Sequence, residues 1–218
     1  MLIRVQEQSG KKNHFIHSIV YGMAYSKIKS AKESETVITE LMIPSYANFG
    51  GKIHGGIILS LMDKVAYVCA SKHAGAYCVT ASIDTVDFLQ SVEVGELVSL
   101  KAKINYVGKS SMVVGIRVES ENVKDETLKH TNTSYFTMVA KDDNNKPQEV
   151  PALMLETEED IRRFLEAIKR KELKQTVKKE TLEVKTNFQL VEAIELLKNE
   201  RCQINASFTD TDFTSLIS

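Results

Sequence analysis

The sequence contains no tryptophan, three cysteines and three prolines among 218 residues. Cys69, Cys78 and Cys202 have neither the spacing of zinc ligands nor the number that a disulfide framework needs, so we expect neither kind of site. Cys69 and Cys78 lie in apolar stretches, which predicts buried, reduced thiols. The formal net charge is −1, so the chain lacks the basic field typical of nucleic-acid binding, and an anionic ligand would need local positive charge.

Long hydrophobic runs are also absent. The longest apolar stretch covers residues 57–70 and is interrupted by Ser60, Asp63 and Lys64, so it is too short to span a bilayer. Residues 1–30 carry scattered lysines and histidines without the continuous apolar region of a signal peptide. We therefore expect a cytoplasmic protein that has no membrane partner.

The apolar content is sufficient for a sizeable core, at 43% of residues against 26% charged. Residues 31–155 hold most of the strand-like and helix-like stretches and are predicted to form the main domain. Residues 1–30 are expected to be an N-terminal extension and residues 156–175 a charged amphipathic helix. Residues 176–218 are predicted to be a loosely attached tail, in which Lys178-Lys179-Glu180 is a linker and residues 188–198 form a short helix.

The main domain is predicted to contain one long helix, at residues 57–74, after a β-branched strand at residues 36–43. Four more strand-like runs follow the helix: 79–88, 97–107, 111–120 and 132–141. This order predicts an α+β fold in which one antiparallel sheet wraps around the helix. Apolar residues cover most of the helix circumference, and one sheet would leave part of that surface uncovered. We therefore expect a dimer whose two helices are enclosed by a shared sheet.

The start of this helix holds the candidate chemistry. Four glycines precede it between residues 50 and 56, so the helix begins with open N–H groups and a positive dipole end. Asp63 lies two turns, or about 10.5 Å, beyond Gly56. In an antiparallel pair, Gly56 would polarise a carbonyl, Asp63 of the partner subunit would take a proton from water, and Asn48 would orient either group. A satisfied carboxylate at a dimer seam, a turn asparagine and packing glycines remain the alternative.

The motif Asn48-x-Gly50-x-x-x-His54-Gly55-Gly56, with Asp63 seven residues later, resembles the hotdog-fold acyl-CoA thioesterases. The bacterial acyl-CoA hydrolases and the cytosolic brain-type enzyme are the nearest branches. Similar segments stand at residues 79–88, 106–112 and 150–151, and the resemblance covers roughly residues 30–172. It implies hydrolysis of fatty acyl-CoA to fatty acid and coenzyme A in a trimer of dimers, without a metal or a redox cofactor.

The resemblance also assigns roles to the residues of this motif. Asp63 matches the acid that serves as general base or as nucleophile, and Asn48 matches an asparagine supplied by the facing subunit. The thioester oxygen would be held in the Gly55-Gly56 region, while His54 is expected to be structural. Phe49 departs from bacterial members, which often have a small residue there, and this bears on acyl-chain preference more than on the chemistry.

Coenzyme A carries phosphates that need basic and hydroxyl groups near a hairpin. The candidates are Lys109, Ser110 and Ser111 at the hairpin, Thr80 and Ser82 for the pantetheine channel, and Lys72 at the helix end. A solvated surface charge remains the alternative for each lysine.

Two other classes of function stay open at this level. One is a hotdog dehydratase or a thioesterase that acts on acyl-carrier protein, although no obvious pairing of a histidine with a carboxylate supports dehydration. The other is a non-catalytic acyl-CoA-binding module whose tail at 176–218 recruits a partner. Release of free thiol from acyl-CoA separates hydrolysis from dehydration and from binding without turnover.

Overall fold

A computed structural model describes residues 27–205 of the chain. The chain divides into two compact units, with the boundary between Ile168 and Lys169. The strands are β1 (Ile28–Ser30), β2 (Thr36–Leu41), β3 (Tyr77–Ile83), β4 (Leu97–Val107), β5 (Ser111–Asn122), β6 (Thr127–Lys141) and β7 (Ala152–Met154). The helices are α1 (Gly55–Ala74), α2 (Glu158–Thr186) and α3 (Leu190–Leu197), and short 3₁₀ turns stand at Ala31–Glu33 and Pro44–Tyr46.

The first unit is built on one antiparallel sheet of five strands in the order β2-β4-β5-β6-β3. Helix α1 packs across this sheet and contacts every one of its strands. The predicted α+β arrangement is thereby confirmed. A second, two-stranded sheet pairs β1 with β7 in parallel, which the sequence did not indicate because each strand has only three residues.

The strand limits differ most from the prediction at the start of β6 and the end of β3. Strand β6 begins at Thr127 rather than at residue 132, because β5 and β6 already pair at Asn122 and Thr127. The polar residues at 122–128 are therefore the hairpin itself and the strand ends beside it. Strand β3 ends at Ile83, and residues 84–96 connect it to β4. In the sheet, β3 is an edge strand and pairs with β6.

The core lies between α1 and the inner face of the sheet. Its fully buried side chains include Met62 and Val65 of α1 and Phe136 and Met138 of β6. Cys69 and Cys78 are buried free thiols, as predicted. The opposite face of α1 is exposed in the single chain, so this helix is not enclosed on all sides by its own sheet.

The helix predicted at 156–175 extends further than expected. Helix α2 continues to Thr186 and includes the Lys178-Lys179-Glu180 stretch, which was expected to be linker. The cause is local: residues 158–186 are rich in glutamate, lysine and leucine and contain no glycine or proline. Helix α3 lies within the short helix predicted at 188–198. Most of the predicted N-terminal extension lies outside the described residues, and none of the helices within 27–205 combines the length and apolarity that crossing a bilayer requires.

Candidate active site

Helix α1 starts with its own side-chain cap. His54 is the N-cap residue, and its Nδ1 accepts a hydrogen bond from the Gly56 N–H at 2.8 Å. The ring lies over the Gly56 Cα, where an added Cβ would stand 2.8 Å from Nδ1. Gly56 therefore needs to be a glycine for the imidazole to reach its N–H. The structural role expected for His54 is a capping role.

The open donor at this helix end is the Gly55 N–H. The Ile57 N–H is bonded to the His54 carbonyl at 2.9 Å and the Gly56 N–H to the imidazole, whereas the Gly55 N–H has no acceptor among residues 27–205. The half-exposed Phe88 ring covers Gly55, with its Cζ 3.1 Å from the position of an added Cβ. The prediction named the Gly56 N–H as the polarising donor, and in the structure this N–H donates to His54 Nδ1.

Asn48 organises the loop that leads into α1. Its Oδ1 accepts hydrogen bonds from the Gly50 N–H at 2.9 Å and the Lys52 N–H at 3.2 Å. The side-chain oxygen is thus used to fix the loop, and the Nδ2 amide remains to donate to a ligand. Phe49, next in the chain, projects fully into solvent.

Asp63 lies on the exposed face of α1, in contrast to the apolar surroundings that its sequence neighbours indicated. Its Oδ1 accepts a hydrogen bond of 2.5 Å from the Thr80 hydroxyl on the edge strand β3. Thr80 was predicted to line the pantetheine channel, which stays a prediction; its observed contact is with Asp63. This hydrogen bond fixes one carboxylate oxygen of a side chain that stays exposed to solvent.

Aromatic residues continue the exposed face of α1 beyond Asp63. Tyr67 is one turn further along the helix, and its ring lies 6.2 Å from that of Tyr77 on β3. Both rings are about half exposed, at 41% and 58%, and Val68 beside them is 37% exposed. An acid bordered by exposed aromatic and aliphatic groups is typical of a surface that a second subunit covers.

The predicted coenzyme A contacts fall in two places. Lys109, Ser110 and Ser111 share the turn between β4 and β5, where the Gly108 N–H is bonded to the Ser111 carbonyl at 2.7 Å. Ser82 follows Thr80 on β3 after a β-bulge.

Lys72 has partners within its own chain. Its ammonium binds the Glu35 carbonyl at 2.7 Å and the Thr36 hydroxyl at 3.3 Å. These contacts tie the end of α1 to the start of β2, and the phosphate contact of Lys72 stays a prediction.

Two buried groups of α1 itself are held uncharged. Burial raises the pKa of the Cys69 thiol to about 12, so this cysteine stays protonated and is not a nucleophile at neutral pH. Burial also lowers the pKa of His73, whose Nε2 lies 3.0 Å from the Pro151 carbonyl oxygen. Asp63, the one carboxylate of α1, is by contrast both accessible and oriented by a neighbour.

A single chain does not bring these groups to one point. Gly55 and Asp63 are eight residues apart on the same helix, about 12 Å along its axis. The helix N-terminus and the carboxylate are too far apart to contact one carbonyl group.

Comparison with known proteins identifies relatives of this chain. The sequence profile of the Thioesterase superfamily matches residues 50–127. Protein VdlD of Helicobacter pylori is 42% identical over 169 residues, covering 78% of this chain and 91% of that protein. YkhA of Bacillus subtilis, named as an uncharacterized acyl-CoA thioester hydrolase, is 35% identical over 148 residues, covering 68% of this chain and 86% of that protein.

Solved structures of the same kind share the fold. A crystal structure of an apo-hexameric acyl-CoA thioesterase superposes with a TM-score of 0.67 at 38% identity, covering 69% of this chain and 96% of that one. An acyl-CoA hydrolase from Staphylococcus aureus, solved with butyryl coenzyme A and coenzyme A, gives a TM-score of 0.64 at 32% identity, covering 72% and 97%.

The S. aureus hydrolase has also been solved as three alanine variants. They replace an asparagine, an aspartate and a threonine that follow one another at intervals of 15 and 17 residues. Asn48, Asp63 and Thr80 are the same residue types in the same order at the same intervals. This match groups Thr80 with the other two residues, in agreement with its hydrogen bond to Asp63.

Proposed function

This chain belongs to the thioesterase superfamily and has its hotdog fold, and from that premise we propose that it hydrolyses acyl-CoA thioesters, fatty acyl-CoA among them, to free acid and coenzyme A. The observation that carries the mechanism is the Asp63–Thr80 pair on the exposed face of α1. An oriented carboxylate of this kind is what activation of a water molecule requires.

Asp63 acts on the attacking nucleophile. As a general base it takes a proton from water, whose oxygen then adds to the thioester carbonyl carbon, and the tetrahedral intermediate collapses with loss of the coenzyme A thiolate. As a nucleophile the carboxylate would itself add to that carbon and expel the coenzyme A thiolate, and water would then hydrolyse the resulting mixed anhydride to the free acid and the regenerated carboxylate. In either case the Thr80 hydroxyl fixes the orientation of the carboxylate.

The N-terminus of α1 stabilises the oxyanion. Backbone N–H groups at a helix start combine hydrogen bonding with the positive end of the helix dipole, and they require no reorganisation during the reaction. Gly55 and Gly56 supply these groups. Asn48 donates from its Nδ2 to the carbonyl or the water, because its Oδ1 holds the loop.

The complete site is shared between two subunits. The N-terminus of α1 from one chain meets Asp63 of the partner subunit when the two helices pack antiparallel. A homo-oligomer follows from this arrangement, and we propose a trimer of dimers. The hexameric thioesterase of similar fold supports that assembly.

The coenzyme A moiety is recognised at the β4–β5 turn. Lys109 supplies positive charge for a phosphate, and Ser110 and Ser111 supply hydroxyl donors close beside it. Ser82 extends this polar surface along β3. The reaction as proposed requires no metal or redox cofactor. We also propose a cytoplasmic location, which suits a water-soluble coenzyme A ester as substrate.

The test is thiol release from saturated acyl-CoAs of two to eighteen carbons, measured for the wild type and two variants. Asp63→Ala should abolish turnover without loss of folding, and Asn48→Ala should lower kcat by roughly 10²-fold. Asp143→Ala, at an exposed loop position, is the matched control and should leave turnover unchanged.

Undiminished thiol release by Asp63→Ala would refute the mechanism. If the folded wild type binds acyl-CoA and releases no thiol from any substrate, the protein is an acyl-CoA-binding module instead.

A further inference from the structure

The cap on helix α1 occupies a group that the proposed reaction needs. The oxyanion of a thioester intermediate is best held by adjacent backbone donors, here the N–H groups of Gly55 and Gly56. The first of these is open, but the second donates to His54 Nδ1 at 2.8 Å. The imidazole nitrogen therefore stands where an acceptor oxygen of the substrate would have to be.

The imidazole is attached in a way that allows it to leave. Among the described residues, the hydrogen bond to Gly56 is the one hydrogen bond that the ring makes, and the ring is exposed. The backbone of His54 is fixed independently. Its N–H is bonded to the Tyr46 carbonyl and its own carbonyl accepts from Ile57, each at 2.9 Å. Rotation of the side chain thus opens the Gly56 N–H without moving the helix.

We propose that His54 is an internal stand-in for the substrate carbonyl: its Nδ1 satisfies the Gly56 N–H in the empty site and is displaced by the thioester oxygen during turnover. This inference rests on the proposed function, since it assumes that the carbonyl binds at the start of α1. Nδ1 accepts a hydrogen bond only when it carries no proton, so the capped form has its proton on Nε2.

The consequence is a competition that affects one class of ligand only. A ligand that has a carbonyl at the reacting position must displace His54, whereas a ligand that lacks the carbonyl need not. A hydrogen bond of ordinary net strength, about 1 kcal/mol, favours the capped form about fivefold. The apparent affinity for carbonyl ligands is therefore lowered by about that factor.

Two non-hydrolysable probes separate the possibilities. The first is a ketone analogue of acyl-CoA, in which a methylene replaces the sulfur and the carbonyl is kept. The second is an S-alkyl-CoA thioether of the same chain length, which has no carbonyl. Their dissociation constants are measured by calorimetry for the wild type, His54→Ala, His54→Asn and His130→Ala, and folding is checked by circular dichroism.

His54→Ala should bind the ketone about fivefold more tightly and the thioether as the wild type does. His54→Asn should resemble the wild type, because an asparagine at the N-cap also accepts from this helix end. The control His130→Ala, which removes a ring bonded to the Thr133 hydroxyl on β6, should change neither affinity. The ratio of the two dissociation constants is insensitive to a partly unfolded fraction, since that fraction reduces both binding signals equally.

If His54→Ala does not bind the ketone more tightly, relative to the thioether, than the wild type does, the proposal is overturned and His54 is a structural cap. Failure of the proposed function would look different. In that case the wild type would bind neither probe, or would release no thiol from acyl-CoA whatever happens at His54.

Discussion

At the scale of single residues, the proposed mechanism depends on a hydrogen-bonded pair of side chains from two elements. Asp63 belongs to α1 and Thr80 to β3, and the 2.5 Å hydrogen bond between them restricts the carboxylate to one orientation. A carboxylate that is free to rotate spends less time aligned with its water, so we expect the Thr80 hydroxyl to affect the rate by orienting Asp63.

Thr80→Val keeps the shape of the side chain and removes its hydroxyl. We expect kcat to fall about tenfold with little change in KM, because orientation of the base is lost and substrate binding is not. Steady-state kinetics on one acyl-CoA measures this. The control is Thr39→Val on the edge strand β2. It removes a hydroxyl that is bonded to Ser99 of β4, and it should leave kcat unaltered. A large rise in KM alone would show that Thr80 contacts the substrate, as first predicted.

A second residue pair sets how closely β4 and β5 approach at a bulge. Asn105 stands at the register shift between Ile104 and Tyr106 and is 4% exposed. Its Nδ2 would lie 2.3 Å from a Cβ at Gly115. The amide therefore occupies the space that any side chain at position 115 would need.

Gly115→Ala should lower the free energy of unfolding by about 1–3 kcal/mol through this overlap. Urea denaturation measures the change. Adding Asn105→Ala should restore much of the loss, since it removes the group with which the new methyl overlaps. Equal stability of Gly115→Ala and the wild type would contradict the close contact.

At the scale of elements, the start of α2 is fixed by one acid. Asp160 Oδ2 accepts from the N–H groups of Glu156 and Thr157, and Oδ1 pairs with Lys103 of β4 at 2.9 Å. Lys103 also pairs with Glu35 at 3.1 Å, so one lysine joins the first turn of α2 to the segment before β2. Burial opposes ionisation of Asp160, but the hydrogen bonds from Lys103 and Thr157 outweigh it and lower the pKa to about 2.

This lowered pKa gives a defined acid dependence. Because the folded-state pKa lies below the ordinary value of 3.8, ionised Asp160 stabilises the fold fully above about pH 4, and the contribution is lost as the pH falls toward 2. Asp160→Asn should therefore cost on the order of 1–2 kcal/mol at pH 7 and distinctly less at pH 2.5.

Urea unfolding at both pH values measures the Asp160 contribution, with the exposed Asp143→Asn as control. A difference between wild type and Asp160→Asn that does not depend on pH would show that the carboxylate charge is not involved.

At the scale of the whole molecule, the exposed face of α1 is the basis for proposing an active unit of more than one chain. Asp63 lies beside the half-exposed rings of Tyr67 and Tyr77, and a second copy of the chain would cover this surface. A composite site makes a prediction that no single-chain site makes.

Two inactive variants should restore each other. In a mixed dimer of Asn48→Ala and Asp63→Ala subunits, one of the two sites receives an intact Asn48 from one chain and an intact Asp63 from the other. Random reassembly of an equal mixture should therefore recover about a quarter of wild-type turnover. Co-refolding followed by a thiol-release assay measures it, and each variant refolded alone is the control. No recovery in verified mixed dimers would place both residues of a site in the same chain.

The sequence by itself determined the elements and the family. Apolar spacing located α1, alternation located β4 and β5, and the motif from Asn48 to Asp63 indicated the hotdog thioesterases, because each of these signals is local in the chain. The same locality limited the C-terminal prediction: Lys178-Lys179-Glu180 was assigned to a linker, although a stretch free of glycine and proline continues the helix to Thr186.

Only the tertiary structure decided which groups meet. The hydrogen bond from Thr80 to Asp63 spans two elements, the pairing of β3 with β6 joins distant segments, and Lys72 is engaged by the chain's own carbonyl and hydroxyl groups. His54 could be assigned a structural role from the sequence, but its cap on Gly56 depends on backbone and rotamer geometry. Contacts of this kind depend on how elements pack and where side chains point, and residue order does not specify either.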